Sequence, residues 1–163
     1  MEIIIPHNKV SRLVTEADMQ KVFEASEEIM PLLNKPAGLH RRYFAIAHAQ
    51  VEKDDPLRFF VLNSMTIEFG SWPFNVIINP VIIRHTEHTV NSIEGCASFP
   101  LLPAITVQRW NKIEVEFSTM MIKGDTKEPV LSKRMTRPCR SNVAKIFQHE
   151  IDHLDGKYIY EQT

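Results

Sequence analysis

Ser141-Asn142-Val143-Ala144-Lys145-Ile146-Phe147-Gln148-His149-Glu150-Ile151-Asp152-His153-Leu154-Asp155-Gly156 is the stretch on which the fold turns. Ser141 is a good N-cap and Gly156 a good residue to follow a helix end, so a helix is predicted between them. Val143, Ile146, Phe147, Ile151 and Leu154 make that helix apolar on more than one side. Such a helix lies inside a domain rather than on its surface. Yet the same segment carries His149, Glu150, Asp152 and His153 within five residues. Burying such groups without partners is costly. His149 and His153 are four positions apart, so at about 3.6 residues per turn both imidazoles leave one face and can share an ion. Glu150 reaches the same cavity without having to be a ligand. This is the H-E-x-x-H arrangement: two nitrogen ligands and a carboxylate base for a water. The bland alternative is a helix with two solvated or core-satisfied histidines.

Before this helix the pattern is one of strands. Ile113, Val115 and Phe117 alternate with Glu114 and Glu116, so one strand face is buried and the other wet. Arg58 to Asn63 and Asn75 to Ile83 are further strand-like runs, the second interrupted at Pro80, which predicts an edge or a strand end. Gly70-Ser71-Trp72-Pro73 is punctuation. Gly124-Asp125 reads as a turn before a strand near Val130, and Pro138 closes the β region. Tyr158 and Tyr160 read as a terminal strand packed on the domain. Towards the start, residues 2–5 read as a short strand ended by Pro6, and Gly38 to Arg42 as a loop. Thr15 and Asp18 resemble a capping box opening a helix through Met19, Val22, Phe23, Ile29, Met30 and Leu33 to about Asn34. Helix first, strands next and a buried helix last predicts an α+β fold, with mixed or antiparallel sheets around a C-terminal metal-binding helix.

Two histidines leave a third protein ligand to find. Cys96 is the leading candidate, in Ser92-Ile93-Glu94-Gly95-Cys96-Ala97-Ser98-Phe99-Pro100, where Gly95 permits a tight backbone path. A thiolate and two imidazoles leave a fourth position open, as in a catalytic site. Alone, Cys96 would read as a small buried hydrophobe. Cys139 follows Pro138 among Arg134, Arg137 and Arg140 and reads as structural or incidental.

The 163 residues form one expected domain, 1–163, large enough for a real core. A net charge of -1 gives no general pull towards DNA or an anionic membrane. No apolar run approaches the roughly 20 residues of a membrane helix, and the first residues have the wrong flanks for a secretory signal. Two cysteines fit a reduced, cytoplasmic protein better than a disulfide-built one.

At this point the chain resembles the peptide deformylases. Glu94-Gly95-Cys96-Ala97-Ser98 resembles the family's cysteine motif, with Ala97 where leucine is usual. Gln148-His149-Glu150-Ile151-Asp152-His153-Leu154 resembles its histidine motif without change, and Asn79-Pro80 and Val107-x-Arg109 are also typical. The likeness runs from about Tyr43 to Tyr160. The first motif, Gly-x-Gly-x-Ala-Ala-x-Gln in the family, is altered to Tyr43-Phe44-Ala45-Ile46-Ala47-His48-Ala49-Gln50. There the family lines its substrate cleft, so Cβ atoms at Tyr43 and Ala45 would narrow it. Ser141 and Asn142 stand where a glycine and a bulky apolar residue are usual, the latter at the pocket for the methionine side chain. The chain also ends ten residues after His153, without the longer helical extension some members use to dock on the ribosome.

The resemblance implies hydrolysis of the N-formyl group from the initiating methionine of new peptides, in a bacterial or virus-infected cytoplasm or an organelle matrix. It implies one divalent ion on Cys96, His149 and His153, iron natively, with zinc, nickel or cobalt able to replace it. Glu150 would move the water proton, while Gln50 and the Ala97 peptide N–H would stabilise the oxyanion. Glu94 and Arg109 would pair to hold the cysteine loop, with Asp152 as an outer support. The altered first motif leaves two alternatives, a hydrolase of other N-acyl peptides or amides and a catalytically silent metal-binding domain. His48 reads equally as a cleft contact or as a tolerated polar residue. His85 and His88 read as solvated. Lys133, Arg134, Arg137, Arg140 and Lys145 form a basic patch that could meet ribosomal RNA but reads better as a charge-balanced face.

Overall fold

A computed structural model describes residues 1–4, 7–34, 43–63 and 75–161. Helix α1 (Met19–Leu33) is followed by strands β1 (Ala45–Ala47), β2 (Phe59–Leu62), β3 (Val76–His85), β4 (Thr89–Glu94), β5 (Ile105–Trp110), β6 (Lys112–Ile122), β7 (Pro129–Leu131) and β8 (Met135–Arg140), and then by helix α2 (Ser141–Leu154). Every strand pairing is antiparallel. One sheet runs β1-β2-β3-β6-β7, with β8 also on β6, while β4 and β5 form a separate ribbon. Long β6 serves two partners: Lys112 to Phe117 pair with β8, and Met120 to Ile122 with β7. The α+β expectation is met.

The main sheet is covered on both faces. Ala45, Ala47, Phe60, Leu62 and Ile77 point to α2, packing with Phe147, Ile151 and Leu154. Their neighbours Ile46, Phe59, Val61, Val76 and Ile78 point to α1 and meet Val22, Ile29 and Leu33. Period-two alternation of strand side chains explains this division. It also explains why β2 is apolar throughout: a strand buried on both faces has no wet side to mark. Gly70 to Pro73 and the loop at Gly38 to Arg42 lie outside the described residues.

Several expectations need correction. Pro80 is neither at an edge nor at a strand end, because β3 lies between β2 and β6. The ladder shifts by one residue between Ile78 and Val81, which is where a proline can enter a paired strand. Asn79 makes the shift with φ of 51°, a conformation asparagine tolerates better than most. Its amide is fixed by both polar groups of Val14, accepting from Val14 N at 2.9 Å and donating to Val14 O at 2.8 Å. Pro138 likewise lies inside β8, opposite Glu114, and does not end the β region. Among the described residues β8 pairs only with β6, so a missing N–H is tolerated there. Residues 2–4 form no strand, and Ile5 and Pro6 are outside the described residues. Ile159 to Glu161 form a 3-10 turn in place of the expected strand. The N-cap of α2 is Arg140, one residue before the expected Ser141, and Ser141 itself has φ of 50°.

Candidate metal centre

Helix α2 has three working faces. Ala144, Phe147, Ile151 and Leu154 enter the core. Gln148 and Asp152 hold β5: Gln148 Oε1 accepts from Trp110 N at 2.9 Å, Gln148 Nε2 donates to Trp110 O at 2.9 Å, and Arg109 Nη1 donates to Asp152 at 2.6 Å. Asn142, Lys145, Ile146, His149 and Glu150 line a cleft of about 480 Å³. The helix is thus pinned on two sides, which fixes the third.

Cys96, from the loop after β4, meets His149 and His153 at the cleft floor. Their ligating atoms all lie within 4.8 Å of one another. Cys96 Sγ is 3.4 Å from His153 Nε2, which is 3.1 Å from His149 Nε2. A tetrahedral ion with ordinary metal–sulfur and metal–nitrogen bonds separates such donors by roughly 3.3–3.6 Å, so this donor set fits a divalent ion. Among the described residues it is the one grouping of its kind, and neither His85 nor His88 joins another. His85 instead stacks on Trp110. Burial keeps His153 neutral by lowering its pKa well below the usual value. Burial also opposes charge on His149, yet its contacts with Cys96 and Glu94 raise its pKa to about 10.

The supports of this cluster reach across the fold. His149 Nδ1 donates to Glu94 Oε2 at 3.0 Å, which leaves Nε2 free to face the other donors. Glu94 also receives two bonds of 2.9 Å from Arg109, as a bidentate pair. The side chains of Arg109 and Glu94 are only 6% and 9% exposed, so this is not a surface pair of small effect. Burial opposes the Glu94 charge, but His149 and Arg109 lower its pKa to about 2.

Glu150 and Gln50 stand beside the cluster in the cleft. Burial raises the Glu150 pKa to about 7, and its Oε2 is buried without a hydrogen-bond partner. Gln50 Oε1 accepts from Ala47 N at 2.9 Å, so its Nε2 turns towards Ser98 Oγ at 3.2 Å and Cys96 Sγ at 3.8 Å. Ala97 lines the same cleft. Six residues from three separate stretches of chain, Gln50, Cys96 with Ala97, and His149, Glu150 and His153, therefore gather at one place. Gly95 lies in the cleft wall, but its φ is not positive and a Cβ there would meet no other atom within 4 Å. Its value is the open space it leaves, not a tight backbone path.

Other side chains divide clearly. His48 is turned away from the metal cluster: its Nδ1 accepts from Leu57 N at 2.9 Å and its ring stacks on Phe59. Cys139 is a core thiol that burial pushes up to about 12. Arg134 of the basic patch is paired with Glu116. Sequence reading missed Ser98 as the partner of Gln50, Tyr158 as the ring packed against His153, and the Glu94–His149 bond. Spacing carries no signal for the Gln50–Ser98 and Glu94–His149 contacts, which join distant residues, and the Tyr158 contact depends on how the chain turns after α2.

The family model for polypeptide deformylase matches residues 5–163. The peptide deformylase of Thermus thermophilus is 31% identical over 153 residues, covering 91% of this chain and 68% of that protein. Peptide deformylase 1 of Bifidobacterium longum is 33% identical over 116 residues, which span 71% of this chain but only 44% of the relative. Among solved structures, the deformylase of the Vibrio parahaemolyticus bacteriophage VP16T, bound to actinonin, superposes with a TM-score of 0.68 at 28% identity, covering 98% of this chain and all of that one. Fold, matched length and these relatives agree: the chain belongs to the polypeptide deformylase family.

Proposed function

We propose that this protein is a metal-dependent hydrolase that removes the N-formyl group from formylmethionyl peptides and releases formate. The convergence of Cys96, His149 and His153 with Glu150 and Gln50 in one cleft carries this reading. Cys96, His149 and His153 would hold one divalent ion. The donor set accepts iron, zinc, nickel or cobalt, and we take ferrous iron as the native ion by kinship with the family. When bound, the ion supplies Lewis acidity, which makes water a better nucleophile and polarises a carbonyl.

Glu150 accepts the proton of the attacking water through the carboxylate oxygen that has no protein partner. As the formyl C–N bond breaks, the same carboxyl gives that proton to the departing amine. The formyl carbon leaves as formate. Gln50 Nε2, aimed by the Ala47–Gln50 bond, donates to the developing oxyanion together with the peptide N–H of Ala97. Tyr43, Phe44 and Ala45 at the β1 side and Ser92 to Gly95 at the β4 side both line the cleft. An extended peptide can lie between them and use their backbone groups.

Formylated nascent chains as substrates fit a bacterial or virus-infected cytoplasm or an organelle matrix. The test is formate release from formyl-Met peptides by iron- or nickel-loaded protein, with acetyl-Met peptides alongside. Formate from the first and no acetate from the second is the expected result. No formate at full metal occupancy would end the reading.

A further inference from the structure

The face of α2 that leads down to the cluster is Asn142, Lys145, Ile146 and His149. These are positions i, i+3, i+4 and i+7, a single helical stripe. Lys145 stands one turn, about 6 Å along the axis, from His149. Ser92 and Ile93 of β4 line the same cleft. Lys145 is partly buried along its stem, while its Nζ reaches Asn91 O of β4 in an exposed, long bond of 3.4 Å. No carboxylate pairs with it among the described residues. Of the two cleft carboxylates, Glu94 is engaged by Arg109 and His149, and Glu150 lies at the metal-ligand end.

An ammonium at the cleft rim whose partner is a single distant carbonyl is ready to receive a better acceptor. The residue that carries the formyl group starts its side chain next to the reacting amide. An extended side chain of four or five atoms spans roughly 5 Å, from bond lengths near 1.5 Å. The flexible lysine stem adds its own reach to that span, so its Nζ can turn from Asn91 O towards the end of such a side chain. Ile146 and Phe99 give the cleft apolar area for a side-chain stem.

The geometry points to Lys145, with Asn142 and Ser92 beside it, as a specificity determinant that receives a first side chain ending in a carboxylate. This rests on the deformylase reading and names a second substrate class for the same cleft: N-formyl peptides that begin with an acidic residue. A wholly apolar pocket would reject such a side chain, because an unpaired buried carboxylate is costly. Here the ammonium offsets that cost, so discrimination between methionine and glutamate at this position is weak.

The experiment compares formyl-Met, formyl-norleucine and formyl-Glu tripeptides of otherwise identical sequence, at matched metal occupancy. The parent is set against Lys145→Met and Lys145→Arg. The parent is expected to release formate from formyl-Glu peptide. Lys145→Met is expected to lower kcat/KM for formyl-Glu relative to formyl-norleucine by about tenfold or more, mainly through KM, while Lys145→Arg keeps the parent ratio. Calorimetric binding of the same peptides to metal-loaded Glu150→Gln protein, with and without Lys145→Gln, reads the preference without turnover, and the same shift is expected. A ratio that Lys145→Met leaves within about twofold, or no turnover of formyl-Glu by a parent that cleaves formyl-Met, overturns this inference alone. No formate from any of the three peptides overturns the deformylase reading as well.

Discussion

His149 Nδ1 lies 3.0 Å from Glu94 Oε2, although 55 residues separate them in the chain. This bond orients the imidazole and fixes which nitrogen faces Cys96 and His153. Glu94→Gln keeps the shape of the side chain but removes its charge and one of its acceptors. Metal affinity, measured by competition with a chelator, is expected to fall 10- to 100-fold, the usual cost of losing such an outer partner. Unchanged affinity would show that the bond does not tune the ligand.

Arg109 is the cation between Glu94 and Asp152, and its side chain is 6% exposed. Arg109→Met leaves two carboxylates without their shared partner. Breaking a buried pair from one side costs about 3–5 kcal/mol, and urea unfolding of the variant should show a loss of that size. A loss below about 1 kcal/mol would mean that the pair behaves as an exposed one.

His48 supplies a pH dependence. Burial lowers its pKa from 6.5 to about 4. Between those values the unfolded chain binds a proton that the folded chain does not. Stability is therefore level above pH 6.5 and falls as pH drops towards 4, by about 3 kcal/mol for this residue. His48→Gln cannot titrate, so the difference in urea stability between it and the parent should change over this window. A constant difference from pH 7 to pH 4 would remove His48 as the cause.

The two ends of α2 respond oppositely to the presence of a Cβ. Ser141 has φ of 50°, which costs a side-chain-bearing residue about 1–2 kcal/mol. Ser141→Gly relieves that cost, less about 0.5–1 kcal/mol of added chain entropy, and should raise Tm by roughly 2–4 °C. Gly156 has φ of 71°, and a Cβ there would sit 2.6 Å from the Asn8 carbonyl oxygen. Gly156→Ala should lower Tm. Calorimetry on both variants checks the pair; a lower Tm for Ser141→Gly would show that the serine side chain does more than tolerate its backbone.

Much of this molecule was legible because its signals are local. The stripe of Phe147, Ile151 and Leu154 with His149 and His153 among them is read within one helix. The alternation of Ile113, Val115 and Phe117 likewise marks one strand's two faces. Cys96 stands out as a candidate third ligand from its own loop, whereas Gln50 is reached only through resemblance, since spacing does not relate either to α2. Pro80 was misread because a proline signals an interruption in pairing and does not distinguish an edge from a bulge. Asn79 settles it only once its amide is seen bonded to Val14, 65 residues away. Tyr158 and Tyr160 alternate like a strand, yet Tyr158 packs against Phe99 and His153 just before a 3-10 turn, and Tyr160 packs against Phe99 from within it. His48 looked chemical because histidine often is; its partners are a backbone N–H and a phenyl ring.

The most direct measurement is formate release by parent and Glu150→Gln protein, each with its metal content determined in the same sample. The prediction is one ion per chain in both, formate from formyl-Met peptide in the parent, and a loss of about 10²- to 10⁴-fold in kcat for the variant. Equal turnover by Glu150→Gln at equal occupancy, or no turnover by a fully loaded parent, would contradict the central claim.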